Sequence, residues 1–474
     1  MEAEQEVGWT KNGGLFIAST KSRMDDYKRM YSIAPVYGIE AHLLDPAEMK
    51  RLYPLTNTND VYGALYRPGD GAIDPSACWN SLVKAAARHG ARAVEHCPVQ
   101  EILTKVDDFG VRRALGVKTK TGHVIKAPIV VNCAGAWAPQ LCDQLGISLP
   151  TMAIHHAYVT TDRIGDHVRV MPNIRDHDSA IYVLTRGDAL SFGVYEGNSQ
   201  FWEKVDENFV FGLFDMDWDR FGTQVKAVCN RIPALKDVGI KFHICGPMSF
   251  TSDHKPLMGE TTQVRGLFMA CGMELGMMMG GALGQQAALW VINGRPNLHM
   301  HAYDVRRFNP KLMGETSWVK EKLHEAVYTM YHIHWPHDEP LGGRNSMRSP
   351  FHSALLDHGG VFQERHWWER PSWFALDGRL SSPLPYDDYG VYEQGGQRAQ
   401  RERLNHDLAG YIRRAEYGHT TSKTIAFGFL QRPDGGFVTE EWVRNGYYEI
   451  EKMGSRHPAN VRDTPLRNVA EATI

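Results

Sequence analysis

Residues Ala127–Ala138 read APIVVNCAGAWA, and the fold follows from how this run is taken. Pro128 closes whatever precedes it, and Ile129 to Val131 is an uninterrupted apolar run of the kind found in a parallel strand buried on both faces. The run stops at Ala134 and Gly135, which are small enough for a ligand to approach the backbone. Trp137 to Leu145 then continues with helical spacing as far as Gly146. In open α/β sheets ligands sit beyond the carboxyl ends of the strands, so this junction is a candidate ligand site. The plainer alternative is one more buried strand with a tight turn.

Working outward toward the N-terminus, Val111, Leu115, Val117 and Val124 alternate between turns at Asp107 and Thr121, an antiparallel meander. Before it, Asp74 caps a helix from Pro75 to His89. Strand, helix, meander and buried strand amount to βαβ-type order with an antiparallel insertion. Earlier still, NGGLFIAS (Asn12–Ser19) supplies a short strand and Met24 to Gly38 a helix with a glycine stop. Asp45, Pro46 and Glu48 have the form of a helix start.

Toward the C-terminus, alternation from Leu149 to about residue 198 predicts a separate antiparallel sheet on the substrate side of a cleft. Helices are expected at Phe209–Trp218 and Phe221–Cys229. The apolar strand from Gly266 to Ala270 runs into Cys271, Gly272 and MELGMMMGGALGQQAALWVINGRP (Met273–Pro296). A helix should begin within these glycines and end at Gly294, with its N-terminal amides near the strand end. A Gly/Met stripe serves close helix packing as readily as cofactor contact. Past Arg307 the chain is rich in Trp, His and Pro. His332, His334 and His337 match no compact zinc spacing and read as packed or solvated histidines, with no metal expected. Gln394 to Arg403 reads as a solvated helix or linker, and Tyr411 to Met453 as a short β-rich piece.

The 474 residues allow two or three domains. A formal net charge of -3 without a dense Lys/Arg tract offers nucleic acid no basic field. No apolar run approaches the roughly 18 residues needed to cross a bilayer, so no membrane partner is expected. Seven cysteines without a C-x-x-C pair favour free thiols in a reducing compartment.

Several longer stretches then stand out together: NGGLFIAS, GDGAIDP, VVNCAGAWA, HHAYV, RDHDSAIY, FGLFDMDW, DHKPLMGE and VFQERHWWERPSWF. In this order they resemble the dimethylglycine/sarcosine dehydrogenase family of flavoproteins, nearly continuously from Gly8 to Tyr392 and again from Tyr411 to Met453. HHAYV and RDHD favour the sarcosine branch. The resemblance implies an α/β plus α+β architecture: a D-amino-acid-oxidase-like FAD-dependent oxidoreductase fold over 1–303, with its substrate sheet at about 149–250. A central linker domain would follow at 304–357, and a partial aminomethyltransferase-like domain at 358–474. Against the family pattern we expect a chain lacking the first βαβ unit with its G-x-G-x-x-G loop, the histidine that anchors FAD covalently, and most of the tetrahydrofolate-binding half.

The same resemblance implies oxidative demethylation of sarcosine to glycine, with an electron-transfer flavoprotein as electron acceptor and the mitochondrial matrix as location. It points to His156 and Tyr182 as active-site residues. His156 has an intrinsic pKa suited to base work, and Tyr182 suits orienting the amine or relaying a proton. For FAD it points to Val99, Ala134, Gly135, Trp137, Gly272, Gly276, Met277 and Met278. Arg175 or Arg186 is expected to hold the substrate carboxylate, on their nearness to Tyr182 in sequence. Two alternatives remain: a dimethylglycine dehydrogenase, and a non-catalytic relative such as the regulatory subunit of pyruvate dehydrogenase phosphatase.

Overall fold

In the computed structural model of the chain, residues 6–206, 208–334, 338–374, 410–418, 423–430, 439–452 and 455–460 are described. They divide into two compact units, Met1–His334 with Glu339–Leu384, and Trp335–Asp338 with Pro385–Ile474. The expected linker Gln394 to Arg403 lies outside the described residues.

The first unit is built on one large sheet. Its strands, with the neighbouring smaller sheets, run in chain order as β1 (Gly14–Ala18), β2 (His42–Leu44), β3 (Gly63–Arg67), β4 (Val99–Val106), β5 (Arg112–Thr119), β6 (Val124–Lys126), β7 (Val130–Asn132), β8 (Thr151–Thr161), β9 (Asn173–Asp176), β10 (Ile181–Arg186), β11 (Ala189–Val194), β12 (Phe201–Trp202), β13 (Ile240–Thr251), β14 (Leu257–Glu260) and β15 (Leu267–Cys271). The helices that matter here are α1 (Lys21–Ile33), α2 (Pro75–Arg88), α3 (Trp218–Arg231), α4 (Gly276–Asn293) and α5 (Thr316–Thr329).

The large sheet runs β12–β8–β11–β10–β9–β1–β3–β2, and β13 pairs along the length of β8. Only β9 and β1 are parallel; every other pair in it is antiparallel. The N-terminal strands expected to belong to the βαβ half therefore complete the antiparallel substrate sheet. Alternation assigns the two faces. Leu15, Ile17, Ile174, Ile181, Val183, Leu190 and Phe192 turn to one side and are buried with Phe221 and Val228 of α3. Removing that much apolar surface from water is the main term holding the sheet to its helix.

Beneath that core lies an ion-paired centre. Arg231 ends α3 fully buried, with Nε on Asp176 Oδ2 at 2.8 Å, Nη1 on Asp60 Oδ1 and the Asn57 carbonyl at 2.8 Å, and Nη2 on Ser19 at 2.9 Å. It ties β9, α3, the turn after β1 and the loop before β3 into one block.

A second core collects Ala138, Cys142, Ile154, Leu257, Leu267, Met269, Leu312, Trp318 and Leu323 between a small sheet and α5. That small sheet has the order β14–β15–β7, with β15 and β7 parallel. Here the structure departs from expectation. β7 is an edge strand with β15 as its one partner among the described residues, and Ile129 and Val131 remain 39% and 41% exposed. An edge strand covered on one side leaves alternate residues in solvent, so the apolar run is not buried on both faces. The meander is β4–β5–β6, as the alternation predicts.

Local signals translate directly. Asp45 and Glu48 form a capping box, and Asp74 accepts from the Ala77 amide ahead of α2. α4 starts at Gly276 and ends at Gly294 in the left-handed region. Phe209–Trp218, expected as a helix, is irregular. Phe209 and Phe214 instead pack edge-on against Trp202, and His155 stacks on Phe214 at 3.9 Å. All seven cysteines are free, with Cys142, Cys245 and Cys271 buried. No helix among the described residues is long and apolar enough to cross a membrane.

In the second unit the described residues form a hairpin (Gly410–Gly418 with Lys423–Leu430), a helix (Glu440–Asn445) and a second hairpin (Tyr448–Lys452 with Ser455–Ala459).

Candidate active site

The face of the large sheet opposite α3 carries polar and aromatic groups. Cross-strand register sets Tyr158 against Gly193, Gly193 against Tyr182, Tyr182 against Arg175 and Arg175 against Phe16. Residues directly opposite one another share a face, so this row crosses five strands. His156, two residues before Tyr158 on β8, stands on the same face.

His156 Nε2 and the Tyr182 hydroxyl lie 3.2 Å apart, with the rings stacked at 6.1 Å. The structure thus brings together the two residues that the sequence singled out. Packing around the imidazole holds the His156 pKa down to about 4, and burial pushes the Tyr182 phenol up, opposed by the nearby Arg175 charge. At neutral pH the pair is therefore a neutral imidazole beside a protonated phenol. Tyr182 is the natural donor and His156 the acceptor.

Arg175 places its guanidinium 5.5 Å from the Tyr182 ring centroid and donates to the neighbouring Ile174 carbonyl at 3.2 Å. Among the described residues no carboxylate lies within ion-pair distance of it, and the acidic group it influences is Asp70, whose carboxyl burial drives toward the neutral form and its charge favours in ionised form. Arg186 is exposed at the far end of β10, opposite Ala189. Of the two candidates only Arg175 stands in the row.

Three further residues enclose the site; none of them was expected there from the sequence, although His177 lies within the RDHD stretch. Tyr195 lies 5.3 Å from Tyr182, Tyr331 packs on Tyr195 at 4.0 Å, and His177 stacks on Tyr331 at 4.5 Å. The hydroxyls of Tyr195 and Tyr331 are hydrogen-bonded to each other. Tyr331 arrives from the end of α5, and its carbonyl accepts from Arg23 Nη2 at 2.8 Å. Arg23 is itself held by Asp178 at 2.9 Å. Burial, with Arg23 and Arg175 nearby, lowers the His177 pKa to about 3. Sequence spacing cannot reveal a contact between residues this far apart.

Most of the residues expected to meet FAD follow the parallel strands β7 and β15. Ala134 and Gly135 follow β7, with Gly135 at φ +53°; Gly272 follows β15 at φ +68°, where a Cβ would come within 2.5 Å of Thr251. Gly276, Gly280, Gly281 and Gly284 along α4 have no neighbouring heavy atom within 4 Å of where a Cβ would stand, and Met277 and Met278 are exposed beside them. Val99 opens β4 and is also exposed. Trp137 turns aside, stacked on Phe209 at 5.9 Å with Nε1 donating to the Phe209 carbonyl at 3.1 Å. Two strand ends, a helix start and a side-chain-free strip make a surface that fits the flat ring of a flavin.

Comparison with known proteins agrees with this geometry. Residues 1–290 match the family profile of the FAD dependent oxidoreductases, 293–349 that of the FAD dependent oxidoreductase central domain, and 373–467 that of the glycine cleavage T-protein C-terminal barrel domain. The mitochondrial sarcosine dehydrogenase of Homo sapiens is 50% identical over 406 residues, 85% of this chain and 44% of that protein. The mitochondrial dimethylglycine dehydrogenase of Homo sapiens is 28% identical over 81% of this chain and 45% of that protein. The chain thus spans less than half the length of either of these relatives. Among solved structures, L-proline dehydrogenase from P. horikoshii superposes with a TM-score of 0.55 at 25% identity, covering 63% of this chain and 77% of that one. Glycine oxidase from Geobacillus kaustophilus superposes at 0.52 and 22% identity, over 63% and 75%, and shares the fold.

Proposed function

The chain belongs to the FAD dependent oxidoreductase family, and from that premise we propose that it oxidises sarcosine to glycine and formaldehyde. The observation that carries this reading is a single sheet face on which an arginine with no ion pair among the described residues stands beside a hydrogen-bonded tyrosine–histidine pair. Identity to the human sarcosine dehydrogenase well above that to the dimethylglycine dehydrogenase favours the N-monomethyl substrate.

On this reading Arg175 takes the substrate carboxylate as a two-pronged donor, which places the amine over Tyr182. An ammonium is a poor hydride donor, so the amine must first lose a proton. Tyr182 and His156 form the path for it: the phenol orients the nitrogen, and the neutral imidazole is free to accept. A pKa of about 4 makes His156 a transient acceptor, not a resting base. FAD, when bound, supplies the two-electron acceptor for the hydride of the N-methyl carbon. Ala134, Gly135, Gly272 and Gly276, with Val99, Met277 and Met278, would hold it, and Trp137 would buttress the turn after β7. Water adds to the resulting imine carbon and releases formaldehyde. The aromatic wall of Tyr182, Tyr195, Tyr331 and His177 limits the rest of the solvent.

An electron-transfer flavoprotein as acceptor and a mitochondrial matrix location belong to the same proposal, supported by the mitochondrial relatives. Tetrahydrofolate as formaldehyde acceptor rests on the C-terminal match alone. A non-catalytic role, like that of the pyruvate dehydrogenase phosphatase regulatory subunit at 29% identity, leaves the paired His156 and Tyr182 without a purpose.

The test is the visible spectrum of the purified chain loaded with FAD, before and after sarcosine without oxygen. Bleaching of the flavin bands, with formaldehyde released in equal amount, is the expected result. A chain that binds FAD and sarcosine yet leaves the spectrum unchanged overturns the reading.

A further inference from the structure

We infer that Arg23 is a positioning residue for the active site: backed by Asp178, it fixes the backbone of Tyr331, and through Tyr331 the Tyr195 ring that packs against Tyr182. This rests on the function proposed above and adds to it a residue that acts through others.

Arg23 stands in the first turn of α1 and is 5% exposed. Burying a guanidinium is costly unless its donors are used, and here each arm has a partner. Nε donates to Asp178 Oδ1 at 2.9 Å, Nη2 donates to the Tyr331 carbonyl at 2.8 Å, and Nη1 lies 3.9 Å from Asp26 Oδ2. The two carboxylates already compensate the charge. The bond to an uncharged carbonyl 308 residues away adds nothing to that balance; what it does is hold a backbone in place. Tyr331 comes just after the end of α5 at Thr329, where the helix offers that carbonyl no amide.

Asp178 is anchored in turn. Its Oδ2 accepts from the Ser19 and Thr20 amides at 3.0 and 3.1 Å, at the junction of β1 and α1. The residue before it, His177, stacks on the Tyr331 ring at 4.5 Å with the planes 18° apart. Two consecutive residues thus grip Tyr331 from different sides, His177 by its ring and Asp178, through Arg23, by its backbone. The third hold is Tyr195, whose ring lies 4.0 Å away and whose hydroxyl is bonded to that of Tyr331. A side chain fixed at its backbone, its face and its hydroxyl has one position.

That position reaches the proposed reacting pair by ring contacts. Tyr195 packs on Tyr182 at 5.3 Å, and the Tyr182 hydroxyl meets His156 at 3.2 Å. If Tyr331 is released, Tyr195 loses a packed ring and a hydroxyl partner together, and Tyr182 loses the ring that backs it. Arg175 is not a link in this series, so the substrate carboxylate keeps its own partner. The series also crosses modules. Tyr331 lies in the stretch that matches the central domain, and the other residues lie in the stretch that matches the FAD dependent oxidoreductases.

The experiment compares the full chain loaded with FAD with three variants. Arg23→Lys keeps the positive charge beside Asp178 and gives up the fork that also reaches Tyr331. Arg23→Gln removes the charge as well, and Tyr331→Ala removes the ring. The first readout needs no substrate. In the histidine ring-proton spectrum, the signal that vanishes in His177→Asn is displaced upfield by the stacked Tyr331 ring, and in both Arg23 variants it should move downfield toward its position in Tyr331→Ala. The second readout is single-turnover reduction of the flavin by sarcosine. The limiting rate should fall roughly tenfold or more in Arg23→Lys, while the sarcosine concentration giving half that rate stays within about threefold. Tyr331→Ala should lose as much, and adding Arg23→Lys to it should lose nothing further. An arginine that serves stability alone lowers the melting temperature and leaves the His177 signal and the limiting rate as in the parent, and that result overturns the inference. If the His177 signal moves as expected but sarcosine does not reduce the flavin of the parent, the hold on Tyr331 stands and the proposed function falls.

Discussion

Tyr182 lies across Gly193. A Cβ built on that glycine would stand 2.2 Å from the tyrosine hydroxyl oxygen, 2.3 Å from Cζ and 2.6 Å from Cε1. The missing side chain of β11 is thus what lets a residue of β10 reach over to His156 on β8. Gly193→Ala should displace the phenol, break its contact with His156 and cost about 1–3 kcal/mol through overpacking. Because the clash includes ring atoms, Tyr182→Phe does not relieve it, whereas Tyr182→Ala in the same chain should. Denaturant midpoints of the single and double variants measure this coupling.

The His156–Tyr182 contact is expected to act as one unit. Tyr182→Phe and His156→Asn should each lower sarcosine turnover by about 10²-fold or more. The double variant should be little worse than either single one, because the second change removes a partner already lost. Additive losses in single-turnover flavin reduction would show that the two residues work separately.

Acid should weaken the fold in a defined window. His156 and His177 titrate near 4 and 3 in the folded chain against 6.5 for a free imidazole. Between those values the unfolded chain binds more protons, so stability falls as pH drops below 6.5, by about 1.4 kcal/mol per histidine and pH unit. Glu196 opposes this: burial raises its pKa to about 7, so the folded chain holds its proton above pH 4.5 and gains stability as pH falls from 7 to 4.5. Urea melts from pH 7 to 4 should show a steeper decline for Glu196→Gln and a shallower one for His156→Asn. Parallel curves for all three would remove these residues as the cause.

Arg231, at the end of α3, should be the most sensitive charged position in this core. It is 1% exposed and its main partner, Asp176, is 0% exposed. Arg231→Met leaves that carboxylate buried without its cation, held by the Ser179 amide, which costs about 3–5 kcal/mol. Asp176→Asn with Arg231→Met should recover a good part of it, as read from thermal melts. Since Arg175 and His177 flank Asp176, the single variant should also weaken sarcosine binding.

The legible parts of the molecule were those written in local chemistry. Asp45 and Asp74 announce their helices because a cap acts within one turn, and Gly294 marks the end of α4 because only the left-handed region closes it cheaply. His156 and Tyr182 were found by resemblance, and alternation placed them on strands of one sheet. What stayed hidden depends on distant partners. Nothing in Gly14–Ala18 says that its neighbour is β9, and nothing near Tyr331 says that Tyr195 lies against it. The apolar run at Ile129 looked doubly buried because composition records what a strand can bury, not how many neighbours it has. Phe209 to Trp218 looked helical because aromatic spacing does not distinguish a helix face from rings packed against Trp202 and His155.

The parallel pairing of β1 with β9 also bears on how the chain is made. Ser19 and Asp178, 159 residues apart, are joined by a hydrogen bond at 3.0 Å. During synthesis the first strands leave the ribosome long before the segment that completes their sheet exists. Until then β1, β3 and β2 form a small antiparallel fragment whose apolar face, later covered by α3, is open to water. Assembly of the active-site face must await the last of its distant strands, which makes it a late, non-local step and a point where chaperones have time to act.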